Sequence, residues 1–319
     1  MGRRPPAPLI AFQFPGQGSQ AVGMGRDLAA VYPVAREVFA VADDVLGFAI
    51  SKVCWEGPEE TLTATENAQP AILTHSTAVV RVLRGQGMEP AAAAGHSLGE
   101  FSAHVAAGSL EFADGVRLVR ARGEAMAQAG RARPGSMAAI IGLRDAEVEA
   151  LCGAVLEELS GEGGILTAAN FNSPGQIVIS GSRPAIRRAL EQARSHGARR
   201  AVELPVSGAF HSALMEPAAE ALADALETVE VRTARIPVVA NVDGLPVHEP
   251  REIRRRLLEQ LTAPVRWVTC VRTLATLGAR TFIEPGPGTV LTVLLKRIDR
   301  ALEGRAVNGP DDIRSLTGP

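Results

Sequence analysis

Along this chain, short runs of consecutive apolar residues alternate with longer stretches in which apolar positions recur every three or four residues. Leu9 to Phe14, Ala91 to Ala94, Pro237 to Val242 and Arg280 to Ile283 read as short buried strands. Residues 71–84, 98–107, 115–129, 252–261 and 265–277 read as helices. Strands alternating with helices argue for an α/β layer architecture. Between about Gly130 and Val206 the texture changes: strands at 136–143, 165–170, 176–180 and 200–204 enclose helices at 145–159 and 183–196. That β-α-β-β-α-β order is ferredoxin-like, and it sits between two pieces of a larger unit. The pattern divides the chain into a large subdomain, 9–129 and 207–305, and an inserted small one, 130–206. The proline-rich start, 1–8, is expected to be a disordered tail and 306–319 a C-terminal tail.

Composition narrows the function classes. The chain has 319 residues, 46% hydrophobic and 21% charged, a globular balance that fills a sizeable core. A net charge of −2 offers no basic field for nucleic acid, and the cluster Arg254-Arg255-Arg256 reads as a solvated helix face. Cys54, Cys152 and Cys270 have no metal-type spacing and read as unpaired thiols of a reducing cytoplasm. No apolar run approaches a membrane span, and residues 1–8 lack the apolar centre of a signal peptide, so a cytoplasmic protein is expected.

The chemistry concentrates at Gly95-His96-Ser97-Leu98-Gly99, a nucleophile elbow between a strand and a helix. Glycines on either side let the chain pass close to itself and thrust the serine hydroxyl into the open. A serine needs a base. Of the six histidines, His96 is expected to point away from Ser97, and His104 lies two helical turns along. His75, His196 and His248 read as structural, whereas His211 falls on a loop after a strand-like run, where open α/β sheets gather their active sites. The loop Pro15 to Gln20 has neither the lysine nor the spacing of a phosphate cradle. It reads instead as a polar loop beside the nucleophile, offering Gln17 as a donor. Arg122 shares a helical stripe with Leu118, Ala125 and Ala129 and so points inward. A structural salt bridge, a snorkelling side chain and a substrate carboxylate are all candidates for its partner.

Several motifs occur in order along nearly the whole chain: Phe14-Pro-Gly-Gln-Gly-Ser-Gln20, Gly95-His-Ser-Leu-Gly-Glu100, Arg122-Gly123 and Asn170-Phe-Asn-Ser-Pro-Gly-Gln176. Gly208-Ala-Phe-His211, Gln260-Leu261 with Pro264-Val265, and Glu284-Pro-Gly-Pro-Gly288 follow. In these the chain resembles the malonyl-CoA:acyl carrier protein transacylases. The resemblance implies an α/β-hydrolase-like large subdomain with a ferredoxin-like insertion. It implies a ping-pong acyl transfer in which Ser97 is the nucleophile and His211 the base, without a carboxylate third member. The backbone carbonyl of Gln260 would orient His211, Leu98 and Gln17 would form the oxyanion hole, and Arg122 would grip the malonyl carboxylate. Phe210 implies a malonyl rather than a methylmalonyl unit. The Ala209-Phe210 pair is common in free-standing enzymes serving polyketide synthases, so the pathway stays open between fatty-acid and polyketide synthesis.

The implied partners are malonyl-CoA and an acyl carrier protein bearing a phosphopantetheine arm, with no nucleic acid and no membrane. No metal and no organic cofactor are expected; coenzyme A enters with the substrate. Carrier proteins are usually acidic, which makes Arg183, Arg187 and Arg297 candidates for steering. Two other classes are open to test. A serine hydrolase could use Asp243-Gly244 as a patatin-like pair, although Asp-Gly is also a favoured turn. A non-catalytic docking subunit would have no use for Ser97, His211, Arg122 and Gln17 together.

Overall fold

The computed structural model describes residues 9–160 and 163–317. Among the described residues, ten strands form two sheets. In chain order they are β1 (Leu9–Phe14), β2 (Ala92–Gly95), β3 (Gly135–Ile141), β4 (Leu166–Ser173), β5 (Gln176–Ser182), β6 (Arg200–Glu203), β7 (Val238–Val239), β8 (Pro246–Val247), β9 (Ala279–Pro285) and β10 (Glu303–Val307). The large sheet runs β10-β9-β1-β2-β7-β8 and is parallel except for β8. β2 is alanine-rich and wholly buried, as expected of a parallel strand covered on both faces. The small sheet is antiparallel in the order β4-β5-β3-β6, with helices Asp145–Glu158 and Arg183–Gln192 as its crossovers. That is the ferredoxin-like arrangement beside an α/β-hydrolase-like sheet.

The small sheet is tied to the large subdomain through β4, which bridges to Val265 outside the large sheet. Phe171 N–H donates to the carbonyl of Val265 at 2.9 Å, and Val265 N–H donates to Ala169 at 2.8 Å. Val265 is thereby held extended, and the helix expected from residue 265 begins at Trp267. The helix expected over 71–84 starts earlier, at Thr65, and runs through Pro70 to Gly85. Proline has no N–H for the carbonyl four residues back. Here that carbonyl, Glu66 O, accepts instead from Arg120 Nη1 at 3.1 Å. A larger correction concerns residues 306–319, which were expected to be a tail. β10 is an edge strand of the large sheet, and helix Pro310–Thr317 packs back through Ile313. Asn308 O lies 2.8 Å from the buried His75 Nε2. Residues 1–8 lie outside the described residues. Among the described residues, no helix is long and apolar enough to cross a membrane.

Candidate active site

The elbow joins β2 to helix Leu98–Ala106. Its serine sits at φ 52°, ψ −108°, a backbone that L residues rarely adopt. The glycines make the turn sterically feasible. A Cβ on Gly95 would lie 1.9 Å from the carbonyl carbon of Gly99, and one on Gly99 would lie 2.1 Å from Phe14 O. Asn241, just past β7, braces the turn from both sides. Its Oδ1 accepts from Ser97 N–H at 2.7 Å and its Nδ2 donates to Gly95 O at 2.7 Å.

Ser97 Oγ lies 2.8 Å from His211 Nε2. His211 is itself in the left-handed region, at φ 57°. Its Nδ1 faces two carbonyls, Gln260 O at 2.9 Å and Ala263 O at 3.2 Å. Carbonyls only accept, so Nδ1 carries the hydrogen and the Nε2 lone pair faces the serine. Burial, then the nearby Arg122 charge, pushes the imidazole down to about 3, so it is neutral at physiological pH.

Arg122, on helix Phe112–Ala132, is 1% exposed. Nη1 donates to Gln69 Oε1 at 2.8 Å, and Nη2 donates to Gln260 Oε1 at 3.0 Å and to Ser97 Oγ at 3.1 Å. The guanidinium stands 5.5 Å over the Phe101 ring. Of the candidate roles, these contacts match neither a direct salt bridge nor a snorkelling chain, since each partner is neutral and the site is interior. The nucleophile, a neutral imidazole and a cation thus converge on one hydroxyl. They open into a cavity of about 500 Å³ between the two sheets, lined also by Gln17, Leu98, Met126, Asn172 and Phe210. Leu98 begins the elbow helix, where backbone N–H groups lack intrahelical acceptors. Gln17 is exposed on its loop and accepts from Thr65 Oγ1 at 2.8 Å.

The acyl transferase domain family matches residues 11–308. The malonyl CoA-acyl carrier protein transacylase of Bacillus subtilis is 47% identical over 304 residues, 95% of this chain and 95% of its own. That of Escherichia coli is 47% identical over 302 residues, 94% of this chain and 96% of its own. The chain belongs to this transacylase family. Among solved structures, an acyl carrier protein S-malonyltransferase from Vibrio cholerae is similar with a TM-score of 0.92 and 45% identity, over 96% of this chain and 99% of that one. A malonyl-transacylase in complex with its type II PKS acyl-carrier protein gives 0.92 and 42%, over 97% and 99%.

Within this family fold, the remaining sequence candidates separate cleanly. His96 is the histidine inside the elbow, expected to point away from Ser97. Its ring packs 5.7 Å from the buried Trp267 and also borders the cavity, with Nε2 2.8 Å from Asn172 Oδ1 on β4. His104 is sealed against Ser109, and Asp243 pairs with Arg256 at 3.0 Å and accepts from Leu245 N–H within a turn. Asp243 is therefore not a partner for Ser97. All three cysteines are buried and unpaired. Gln69, Asn241, Asn172 and Glu100 belong to the site's hydrogen-bond network without having been singled out. Asn172 and Glu100 lie inside quoted motifs, whereas Gln69 precedes the proline that hid the start of its helix.

Proposed function

We propose that the protein transfers a malonyl group from malonyl-CoA to the phosphopantetheine thiol of an acyl carrier protein through a malonyl ester of Ser97. The observation that carries this reading is the convergence on Ser97 Oγ of His211 Nε2 at 2.8 Å and Arg122 Nη2 at 3.1 Å. His211 takes the hydroxyl proton as Oγ attacks the thioester carbon, and the tetrahedral oxyanion is received at the Leu98 N–H and the Gln17 loop. The carbon–sulfur bond breaks and the departing thiolate collects the proton from Nε2. In the second half the carrier thiol gives its proton to Nε2 and attacks the ester, and the proton returns to Ser97. The Gln260 carbonyl keeps Nδ1–H in place through both halves. Arg122 receives the free carboxylate with its planar fork. Phe210 narrows the pocket near the acyl α-carbon, which favours malonyl over branched units.

The reaction is a step of fatty-acid or polyketide synthesis, carried out in the cytoplasm with coenzyme A entering as part of the substrate. Arg297 follows cavity-lining residues on helix Val290–Ile298 and donates to Gln176 at the mouth, a placement suited to an acidic carrier. The test is intact-protein mass after mixing with malonyl-, acetyl-, methylmalonyl- and succinyl-CoA, followed by phosphopantetheinylated carrier protein. A malonyl adduct that is absent in Ser97→Ala and moves to the carrier is the expected result. An adduct lost to water while the carrier stays empty would make the protein a hydrolase instead.

A further inference from the structure

Glu100 lies three residues after the nucleophile, one turn into the elbow helix, and is fully buried. Its Oε2 accepts from Gln260 Nε2 at 2.7 Å and from Asn241 N–H at 3.1 Å, both neutral donors. A buried ionised carboxylate held only by neutral groups carries a large desolvation penalty. A glutamine here would accept the same two hydrogen bonds without that penalty, so the charge itself requires an explanation.

Gln260 supplies one. Its Nε2 donates to Glu100 Oε2 and to Ser97 O at 3.0 Å, while its Oε1 accepts from Arg122 Nη2 at 3.0 Å. Turning the amide over would set its oxygen against a carboxylate and a carbonyl, and its NH2 against a guanidinium. Carboxylate, amide and guanidinium are thus joined in series, and the amide has one permitted orientation. The same residue's backbone carbonyl holds His211 Nδ1. A carboxylate placed directly on Arg122 would occupy the donors that a substrate carboxylate needs. One amide away, it still offsets the buried cation.

We propose that Glu100 is a positioning residue for acyl transfer: through Gln260 it is the countercharge of Arg122 and locks the amide that presents Arg122 to the acyl group. This rests on the reading of Arg122 as the receiver of the malonyl carboxylate. The electrostatics agree with the geometry. Burial pushes the Glu100 carboxyl up to about 7, while its hydrogen bonds and the Arg122 charge pull it down and Asp243 pushes it up. Burial brings Arg122 down to about 10, and Glu100 pulls it back up.

The test has two readouts. At pH 8, melting temperatures are compared for wild type, Glu100→Gln, Arg122→Ala and the double variant. Removing the buried charge by Glu100→Gln is expected to raise Tm by several degrees more in the Arg122→Ala background than beside Arg122, where the carboxylate is partly offset. An equal change in both backgrounds would overturn the pairing. The second readout is the malonyl-over-acetyl ratio of kcat/KM for Ser97 loading. Glu100→Leu is expected to reduce the ratio by ~10-fold or more, and Glu100→Gln, which keeps an acceptor, to retain most of it. A folded Glu100→Leu with the wild-type ratio would overturn the positioning role. A wild type that loads no acyl group would instead overturn the acyl-transfer reading, and the melting shifts would still decide the Glu100–Arg122 pairing.

Discussion

A guanidinium sealed in a protein interior has to be held, and Arg122 is held by two amide oxygens and the serine hydroxyl. Neutral acceptors satisfy its donors, and its countercharge Glu100 stands one amide away, so the guanidinium at the end of an open cavity stays free to take a carboxylate directly. A carboxylate entering there gains charge-assisted hydrogen bonds that a methyl group does not. Arg122→Ala should therefore lower malonyl loading of Ser97 by ~10²-fold or more, since truncating one partner of a buried charged contact costs about 2–5 kcal/mol. Loading from acetyl-CoA should rise in the same variant, because no unpaired cation is left facing its methyl group. Competition between the two thioesters, read by intact mass, measures both effects at once. An unchanged malonyl-to-acetyl ratio would remove Arg122 from substrate recognition.

The elbow depends on backbone passing backbone, which no side-chain adjustment can relieve. A methyl on Gly95 would meet the carbonyl carbon and oxygen of Gly99 at 1.9 Å and Glu100 N at 2.4 Å. Gly95→Ala should therefore destabilise the protein by about 3 kcal/mol or more and abolish the Ser97 adduct. Gly153, inside helix Asp145–Glu158 with nothing within 4 Å of its added methyl, is the contrast. Gly153→Ala should be neutral or stabilise by about 0.5–1 kcal/mol while loading stays at the wild-type level. Thermal melts and adduct formation on the two variants separate a steric role from a general intolerance of glycine loss. This elbow was legible in the sequence because it is local: a strand, two glycines and a helix all lie between Ala92 and Ala106. The inward stripe of Arg122 was legible for the same reason. What periodicity does not carry is the partner across space. Asn241 reaches Ser97 N–H from 144 residues away, and Gln69 reaches Arg122 from 53 away. Residues 306–319 misled because β10 is an edge strand, half exposed, whose pairing to β9 supplies what its pattern lacks.

The site lies where the two sheets face each other, and imidazoles are buried both there, at His96 and His211, and inside the large subdomain, at His75 and His104. Burial holds His75 at about 4 and His104 and His211 at about 3, and it lowers His96 as well. In the unfolded chain each returns to about 6.5. As the pH falls through 6.5, the unfolded state takes up protons at these positions that the folded state refuses, so stability falls. Two carboxyls act in the opposite direction. Glu100, pushed up to about 7, and Glu284, also raised by burial, hold protons in the folded state that the unfolded state has released above about pH 4.5. Each fully developed group shifts stability by about 1.4 kcal/mol per pH unit. Four imidazoles against two carboxyls leave a net loss on the acid side. Tm measured at pH 7.5, 6.0 and 5.0 should therefore drop at each step, with the larger drop below 6.0. A Tm that holds level or rises toward pH 5 would mean that the buried imidazoles accept protons in the folded state. A protonated His211 could not take the Ser97 proton, so the same result would predict loss of acyl loading over that pH range.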